Sequence, residues 1–428
     1  MTSLNNSGQI IPYFWSMNHK ILLCLFAWCI CSCTKKEPLK YSDIKGLWKL
    51  ELNIGSDEKT IPFFLEIIEI NNQVKAAVWN GDEKIQHDHV TLRNDSVFIE
   101  SPYFNSTLTL LFNRNLVSGI WQDKSREEYV MTVTGKYNLT QRFKFDGPLE
   151  TNVDGKWEVR FSPNTPEEYK AIGLFTTDQN SMKGTFITET GDYRFLEGGF
   201  ALNELKLSTF DGAHAFLFEA DLKNDTLYGE FFSGKHYSEK FIAWRNDSSA
   251  LMSPYKMTEL VDPTQPISFS FKDLNGKVVS IDDSTYLNKP MLVQLSGSWC
   301  PNCMDESAFL VENKAFIAEK GVEVVALSFE RLPYDDAVKP LLKLKESLGI
   351  EYPVLYAGMA KKLEATKEIP WLKEIKSYPT LLFVMPNKQV FKFHTGFYGP
   401  GTGPYYKKQS SELLDDITLL AKMSGVTP

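Results

Sequence analysis

One stretch constrains the fold of this chain most: Trp299-Cys300-Pro301-Asn302-Cys303. It follows an apolar run, Met291 to Leu295, and precedes residues that predict a helix from Pro301 to about Glu319. A Cys-x-x-Cys pair between a strand and a helix is typical of a redox dithiol. The first cysteine would lie at the helix N-terminus, where free backbone N–H groups and the helix dipole stabilise a thiolate.

Two other interpretations of the cysteine pair carry less weight. A closed structural zinc site needs four ligands, and the chain has no second Cys-x-x-Cys pair; its histidines are scattered, at positions 19, 87, 89, 214, 236 and 394. A purely structural disulfide across two residues would add little stability through chain entropy. We therefore expect neither a metal nor another cofactor beside the dithiol.

Composition excludes one large class of function. The 428 residues carry a net charge of −8, with a pI near 5.5, so nothing indicates nucleic-acid binding. The length predicts two or three domains.

The other four cysteines crowd into the N-terminal segment, at positions 24, 29, 31 and 33. The apolar run from Ile21 to Ile30 is too short to span a bilayer but fits the core of a signal peptide. The following residues, Ile30-Cys31-Ser32-Cys33, resemble a bacterial lipoprotein box. Residues 1–33 are thus expected to be a lipoprotein signal peptide with Cys33 as the lipidated residue, although an ordinary cleaved signal or a buried helix would also fit. Export would leave Cys300 and Cys303 as the only thiols, which suits redox chemistry outside the cytoplasm.

Residues 41–246 read as strands, with alternating apolar positions and frequent turn signals. Two copies of one pattern align: Gly46-Leu47-Trp48 matches Gly155-Lys156-Trp157, and two further segments match at nearly the same spacing. We expect two units, 41–140 and 148–246, each a small antiparallel barrel or sandwich. The opening Gly-x-Trp strand resembles that of lipocalin-type barrels. Residues 247–266, rich in proline and serine, would form a linker.

Aromatic side chains in these units allow two interpretations. They could line a cavity for an apolar ligand, or they could fill a solid core, which we favour. The residues concerned are Trp79, Phe104, Trp121, Phe216, Phe218, Phe231 and Phe232. If the cores are solid, we expect the β-rich half to act as a spacer or as a docking site for a partner.

Residues 267–428 alternate between strands and helices, which predicts an α/β domain with a mixed sheet. A hairpin turns at Asn275-Gly276, and a strand buried on both faces follows the dithiol helix at Val322 to Phe329. Helices are expected over Asp335 to Leu348, Lys361 to Lys376 and Ser410 to Met423. The Gly/Pro/Tyr-rich segment 397–406 is expected to be a flexible surface loop, or else part of a substrate platform.

These motifs, with Tyr378-Pro379-Thr380 before a later strand, resemble the TlpA-like thiol-disulfide oxidoreductases of the thioredoxin superfamily over residues 264–425. The resemblance implies a thioredoxin-like fold, with Cys300 as the nucleophile and Cys303 as the resolving thiol. It also implies a cis bond before Pro379, with Trp299, Tyr378 and Pro379 beside the substrate.

Glu306 lies three residues after Cys303, on the same helix face, and matches a glutamate of TlpA-like proteins. It would handle the proton of Cys303, unless it is simply a solvated helix residue. The position six residues before the first cysteine, an aspartate in cytoplasmic thioredoxins, is Gln294, which cannot titrate.

The sequence therefore predicts a lipid-anchored oxidoreductase of the bacterial cell envelope, facing the periplasm, that reduces disulfides of client proteins and is fed by a membrane electron donor. One alternative is a peroxiredoxin-like peroxidase, but the Thr or Ser that such enzymes place three residues before their cysteine is Gly297 here. Another is a ligand-binding or scaffolding lipoprotein with an auxiliary redox domain.

Overall fold

The computed structural model describes residues 39–55, 59–178 and 181–425. Cys33 and the signal-type segment lie outside these residues. Along the described part of the chain, no helix combines the length and apolarity needed to cross a membrane. Two barrel-like β sheets precede an α/β domain, which confirms the expected fold class.

The first sheet, barrel 1, is built from nine antiparallel strands. They are β1 Gly46–Asn53, β2 Thr60–Ile70, β3 Gln73–Asn80, β4 Glu83–His87, β5 Val90–Arg93, β6 Ser96–Glu100, β7 Ser106–Asn113, β8 Leu116–Asp123 and β9 Tyr129–Tyr137. The strand order is β4-β3-β2-β1-β9-β8-β7-β6-β5. Because β4 and β5 stand at the two edges, the barrel is open between them.

The second sheet, barrel 2, repeats this plan. Its strands are β10 Gly155–Phe161, β11 Tyr169–Thr177, β12 Met182–Thr188, β13 Gly191–Asp192, β14 Leu196–Ala201, β15 Glu204–Phe210, β16 Ala215–Lys223, β17 Thr226–Ser233 and β18 Tyr237–Arg245. Here β12 pairs with both β11 and β14, so the ring of strands is closed.

The duplication predicted from the sequence is confirmed in detail by the opening strands. Trp48 and Trp157 are both buried, and each indole Nε1 donates to the carbonyl four residues earlier at 2.7 Å. Gly46 and Gly155, two residues before them, have nearly equal φ angles of 112° and 113°. These positive values favour glycine at the start of each barrel.

Large side chains fill the interiors of both barrels. Of the seven aromatic residues singled out above, five are buried, and Trp79 and Phe232 are partly exposed. In barrel 2, Phe186 and Phe218 stack with ring centroids 4.4 Å apart. This supports the solid-core interpretation over an open apolar cavity.

The C-terminal domain contains a seven-stranded mixed sheet in the order β20-β19-β23-β22-β21-β24-β25. The strands are β19 Ser270–Asp273, β20 Val278–Ser280, β21 Met291–Ser296, β22 Glu323–Glu330, β23 Val354–Met359, β24 Thr380–Val384 and β25 Val390–Thr395. The helices are α1 Pro301–Glu312, α2 Lys314–Glu319, α3 Tyr334–Leu348, α4 Lys362–Glu368 and α5 Pro404–Met423. The central strand β21 is buried along its whole length and leads directly to the dithiol.

Three helix boundaries differ from the sequence prediction. The predicted dithiol helix is divided at Asn313 into α1 and α2. Helix α4 ends at Glu368, because Pro370 disfavours helical geometry at the residue before it. Helix α5 begins at Pro404, six residues earlier than predicted, with proline at its first position.

The barrels pack on each other and on the α/β domain. Phe63 of barrel 1 and Phe210 of barrel 2 have ring centroids 4.4 Å apart. From barrel 1, the carbonyl of Phe104 accepts a hydrogen bond from Lys343 of α3 at 3.2 Å. The Phe104 side chain also packs with Met304 of α1 and Leu344 of α3. Barrel 2 reaches the start of α1, beside the cysteines, as described below.

Candidate active site

The dithiol follows β21 at the start of α1. Glu330, at the end of β22, holds the intervening loop: its carboxylate accepts the backbone N–H of Ser298 at 2.8 Å and the Ser298 hydroxyl at 2.6 Å. Burial raises the pKa of Glu330, which these hydrogen bonds oppose. Sequence analysis missed this residue, whose only signal was a carboxylate ending a buried apolar run.

Cys300 and Cys303 are joined as a disulfide, with Cα atoms 5.2 Å apart. Cys300 is the N-cap of α1, and its sulfur accepts the Cys303 backbone N–H at 3.2 Å. Cys300 is 7% exposed, whereas Cys303 is fully buried. The two sulfurs therefore differ: a substrate can approach the first, and the second can react only from inside the protein.

The Tyr378–Pro379 peptide bond is cis, as the family resemblance implied. The carbonyl oxygen of Tyr378 lies 3.6 Å from the Cys300 sulfur. The Tyr378 ring meets Trp299 edge to face, with centroids 5.8 Å apart. Trp299 also donates from its indole to the carbonyl of Phe329 at 3.0 Å. The structure thus brings Trp299, Tyr378 and Pro379 together around Cys300.

Glu306 is fully buried, so the solvated alternative is wrong. Gln294 of β21 donates its amide to Glu306 Oε2 at 2.8 Å, while Glu306 Oε1 has no hydrogen-bond partner. Burial raises the pKa of Glu306 to about 8, and the hydrogen bond from Gln294 opposes this rise. A carboxyl with such a pKa can accept or donate a proton near neutral pH.

A cleft of about 420 Å³ opens beside the dithiol. One wall comes from the α/β domain and includes Trp299, Cys300 and Tyr378. The other wall comes from barrel 2, and sequence analysis did not anticipate it. Its residues are Tyr169, Lys170, Thr188, Glu189, Thr190, Gly191, Asp192, Tyr193, His214 and Phe216.

Arg194 of barrel 2 joins this wall to the dithiol helix. Its buried guanidinium contacts Asp305 of α1 and Glu83 of barrel 1, each at 2.5 Å, and lies 3.4 Å from Asp211. Burial raises the pKa of Asp305 to about 7, and the positive charge of Arg194 opposes this rise. One arginine thus connects both barrels to the helix that carries the two cysteines.

Asp192 makes a second connection next to the cysteines. Its carboxylate accepts the Gly399 backbone N–H at 2.5 Å and the side-chain amide of Asn302 at 3.3 Å. Asn302 also donates to the carbonyl of Phe397 at 3.1 Å. Segment 397–406 therefore packs between barrel 2 and α1, and the prediction of a surface loop there was wrong.

Among the described residues, no group of three or more His, Cys, Asp or Glu side chains is arranged to hold a metal ion. Of the predicted site residues, only Cys33 lies outside the described part of the chain.

Comparisons with known proteins agree with this geometry for one part of the chain. The Redoxin family matches residues 262–397. The thiol-disulfide oxidoreductase ResA of Bacillus subtilis (strain 168) is 25% identical over 129 residues, which are 30% of this chain. The match spans 64% of the length of that relative, less than two thirds of it.

Two solved structures are also similar. A thiol:disulfide interchange protein of the thioredoxin family from Chlorobium tepidum TLS is 21% identical, with a TM-score of 0.28 over 37% of this chain and 97% of that one. A secreted thiol-disulfide isomerase from Corynebacterium glutamicum is 15% identical, with a TM-score of 0.30 over 42% of this chain and 96% of that one. From the Redoxin match and the similarity to ResA, residues 262–397 belong to a TlpA-like domain of the thioredoxin superfamily.

Proposed function

We propose that this protein is a thiol-disulfide oxidoreductase of the bacterial cell envelope that reduces disulfides in client proteins. One observation carries the proposal: the two bonded cysteines at the start of α1 are unequal, with Cys300 open to a cleft and Cys303 fully buried. This is the arrangement that a nucleophile and a resolving thiol require.

The reduced protein would act in two steps. The Cys300 thiolate attacks one sulfur of the client disulfide, forming a mixed disulfide and releasing a client thiolate, which takes a proton from water. The Cys303 thiolate then attacks the Cys300 sulfur, releases the second client thiolate and forms the Cys300–Cys303 disulfide. The client gains two electrons and the protein loses two, which the proposed membrane electron donor would return.

Glu306 is proposed as the proton acceptor for Cys303. It lies one helical turn after Cys303, and its pKa of about 8 keeps it close to the pH of the reaction. A thiol buried without a base would lose its proton slowly. Replacing Glu306 by Gln should therefore slow the resolving step while the first attack keeps its rate.

The direction of the reaction is tested by the reduction potential of the Cys300–Cys303 couple, measured against a glutathione or dithiothreitol buffer. We expect a value closer to that of reducing thioredoxins, about −270 mV, than to that of strong oxidants, about −120 mV. A value near the second figure would contradict the proposed reductase.

The mechanism is tested by mixing the reduced protein with a disulfide substrate in a single turnover. Cys300→Ser should abolish reduction, whereas Cys303→Ser should stop at a mixed disulfide visible by mass spectrometry. A mixed disulfide that formed in Cys300→Ser instead would reverse the assigned roles.

The lipid anchor at Cys33 is part of this proposal and rests on the sequence motif alone. Cells given labelled palmitate should label the wild-type protein and a Cys31→Ser variant. The Cys33→Ser variant should remain unlabelled and leave the membrane fraction; labelling of that variant would exclude Cys33 as the lipidated residue.

A further inference from the structure

The cleft beside Cys300 has a wall that the redox chemistry does not require. A nucleophile, a resolving thiol and a proton acceptor are all supplied by the α/β domain. The opposite wall is contributed by barrel 2: residues 188–193, with Tyr169, Lys170, His214 and Phe216. The redox chemistry does not explain why barrel 2 lines the cleft beside the reactive sulfur of Cys300.

This wall is packed firmly against the dithiol region. A Cβ atom built on Gly191 would lie 2.8 Å from the Asn302 side chain, and one on Gly396 would lie 2.7 Å from the backbone of Thr190. The Thr190 carbonyl also accepts a hydrogen bond from Ser377 at 3.3 Å. Contacts this close leave no room for the wall to shift toward the α/β domain, so its side chains face the substrate at a defined position.

Aromatic rings stand on both sides of the cleft. On the barrel 2 side, His214 stacks on Phe216 with centroids 4.4 Å apart and planes 23° apart. The side chain of His214 lines the cleft and is 25% exposed, so part of its ring is accessible to a substrate. On the dithiol side stand Trp299 and Tyr378. Two aromatic walls favour an aromatic side chain between them, because offset and edge contacts between rings are stabilising beyond the burial of their surface.

The charged residues of the cleft give less basis for selecting a substrate than its aromatic rings do. The cleft carries one lysine and one glutamate that are partly exposed, Lys170 and Glu189, and Lys170 is already paired with Glu158 at 3.2 Å. Asp192 is buried and occupied by Gly399 and Asn302. This leaves shape and aromatic contacts as the features by which the cleft can select a substrate.

Size limits the substrate further. A cleft of about 420 Å³ lies near the lower end of the range for small-ligand sites, about 300–1,000 Å³. It can admit a few residues of extended chain but not the convex surface of a folded protein, and Cys300 is only 7% exposed.

We propose that barrel 2 selects the substrate of the dithiol, and that the preferred substrate is an extended, cysteine-bearing polypeptide segment with an aromatic side chain next to its cysteine. The aromatic side chain contacts the accessible part of the His214 ring while the substrate sulfur meets Cys300. This inference depends on the proposed oxidoreductase function and adds a specificity-determining role for His214.

The test compares two synthetic peptide disulfides that differ only in Phe or Ala beside the cysteine. The pre-reduced full chain is mixed with each peptide, and the single-turnover rate constant is measured. We expect the Phe peptide to react about tenfold faster, the lower end of the discrimination that an apolar contact gives. The ratio of the two rates is the readout, because a general loss of activity changes both.

Two variants locate the preference. His214→Ala removes the imidazole ring from the cleft. The ratio of the Phe-peptide rate to the Ala-peptide rate should then fall below about threefold. His214→Phe keeps an aromatic ring that can stack on Phe216 and should restore the ratio. Thermal unfolding of each variant shows whether barrel 2 remains folded. An unchanged ratio in a folded His214→Ala variant would overturn the proposal.

Two further substrates separate the possible sources of the disulfide. Oxidised glutathione and a folded protein with a surface disulfide should both react more slowly than the Phe peptide. If either reacts equally fast, substrate selection by barrel 2 is wrong while the oxidoreductase function stands. If the reduced protein reduces none of the substrates, the proposed function itself fails, and this inference fails with it.

Discussion

The two barrels share one plan but differ in what they contact. Corresponding strands start between 106 residues apart (Val90 and Leu196) and 110 residues apart (Leu116 and Thr226). Barrel 1 is open between β4 and β5 and supports α3 through the Phe104 carbonyl. Barrel 2 is closed and reaches α1 beside the cysteines through Arg194. After a duplication, then, the shared residues maintain each barrel, and the residues that differ decide which copy lines the cleft beside Cys300.

The largest effect should come from breaking the contact between barrel 2 and α1. Arg194→Met would leave the carboxylates of Asp305, Glu83 and Asp211 buried without their common cation. Removing one partner of a buried ion pair costs about 3–5 kcal/mol, so we expect a loss of that size in the free energy of unfolding, measured by urea denaturation near pH 7.

The matched control acts on barrel 1. Lys343→Met removes the bond to the Phe104 carbonyl and a 4.0 Å contact with Glu100 of barrel 1, and should cost about 1.5–2 kcal/mol, since the hydrogen bond has a charged donor and the ion pair is partly exposed. Equal losses in the two variants would mean that the two barrels hold the α/β domain in the same way, contrary to the comparison.

A second prediction concerns what the barrels share. Trp48→Phe and Trp157→Phe each remove an indole hydrogen bond to a buried carbonyl. Each should cost about 2 kcal/mol, because the buried acceptor loses its partner and the smaller ring leaves a space. The two urea midpoints should fall by similar amounts. A much smaller fall for Trp48→Phe would show that the open barrel relaxes around the missing ring, and that the repeated strands are not energetically equivalent.

The residues that the two barrels share and the residues that connect barrel 2 to α1 also differ in how well the sequence predicted them. The cysteine pair and the paired Gly-x-Trp strands were foreseen because each depends on residues within one or two adjacent elements, and the cis proline was foreseen only through the family resemblance. Arg194 was missed because its partner Asp305 lies 111 residues away, and no local pattern marks either as buried. The sequence placed Glu306 on the same helix face as Cys303, but its burial depends on β21 packing beneath α1, which only the tertiary structure shows.

The smallest predicted effect is a pH dependence of the free energy of unfolding. It distinguishes the contributions of two neighbouring carboxyl groups of α1. Asp305 faces barrel 2 with a pKa of about 7, and Glu306 contacts β21 with a pKa of about 8. Both values are raised above the ordinary ones, so each folded-state carboxyl keeps its proton where the unfolded chain has lost it. Stability must therefore fall as pH rises from the unfolded pKa toward the folded one.

Between pH 7 and pH 8, Glu306 should provide about three quarters of that fall, because Asp305 is already half ionised at pH 7 whereas Glu306 titrates within the interval. We expect the wild-type free energy of unfolding to drop by about 1 kcal/mol across this interval. Glu306→Gln should remove most of the drop, since an amide cannot ionise, whereas Asp305→Asn should retain most of it. A drop that disappeared in Asp305→Asn and persisted in Glu306→Gln would mean that the proton is held on the side of α1 facing barrel 2. The proton acceptor for Cys303 would then have to be sought at that interface rather than beneath the helix.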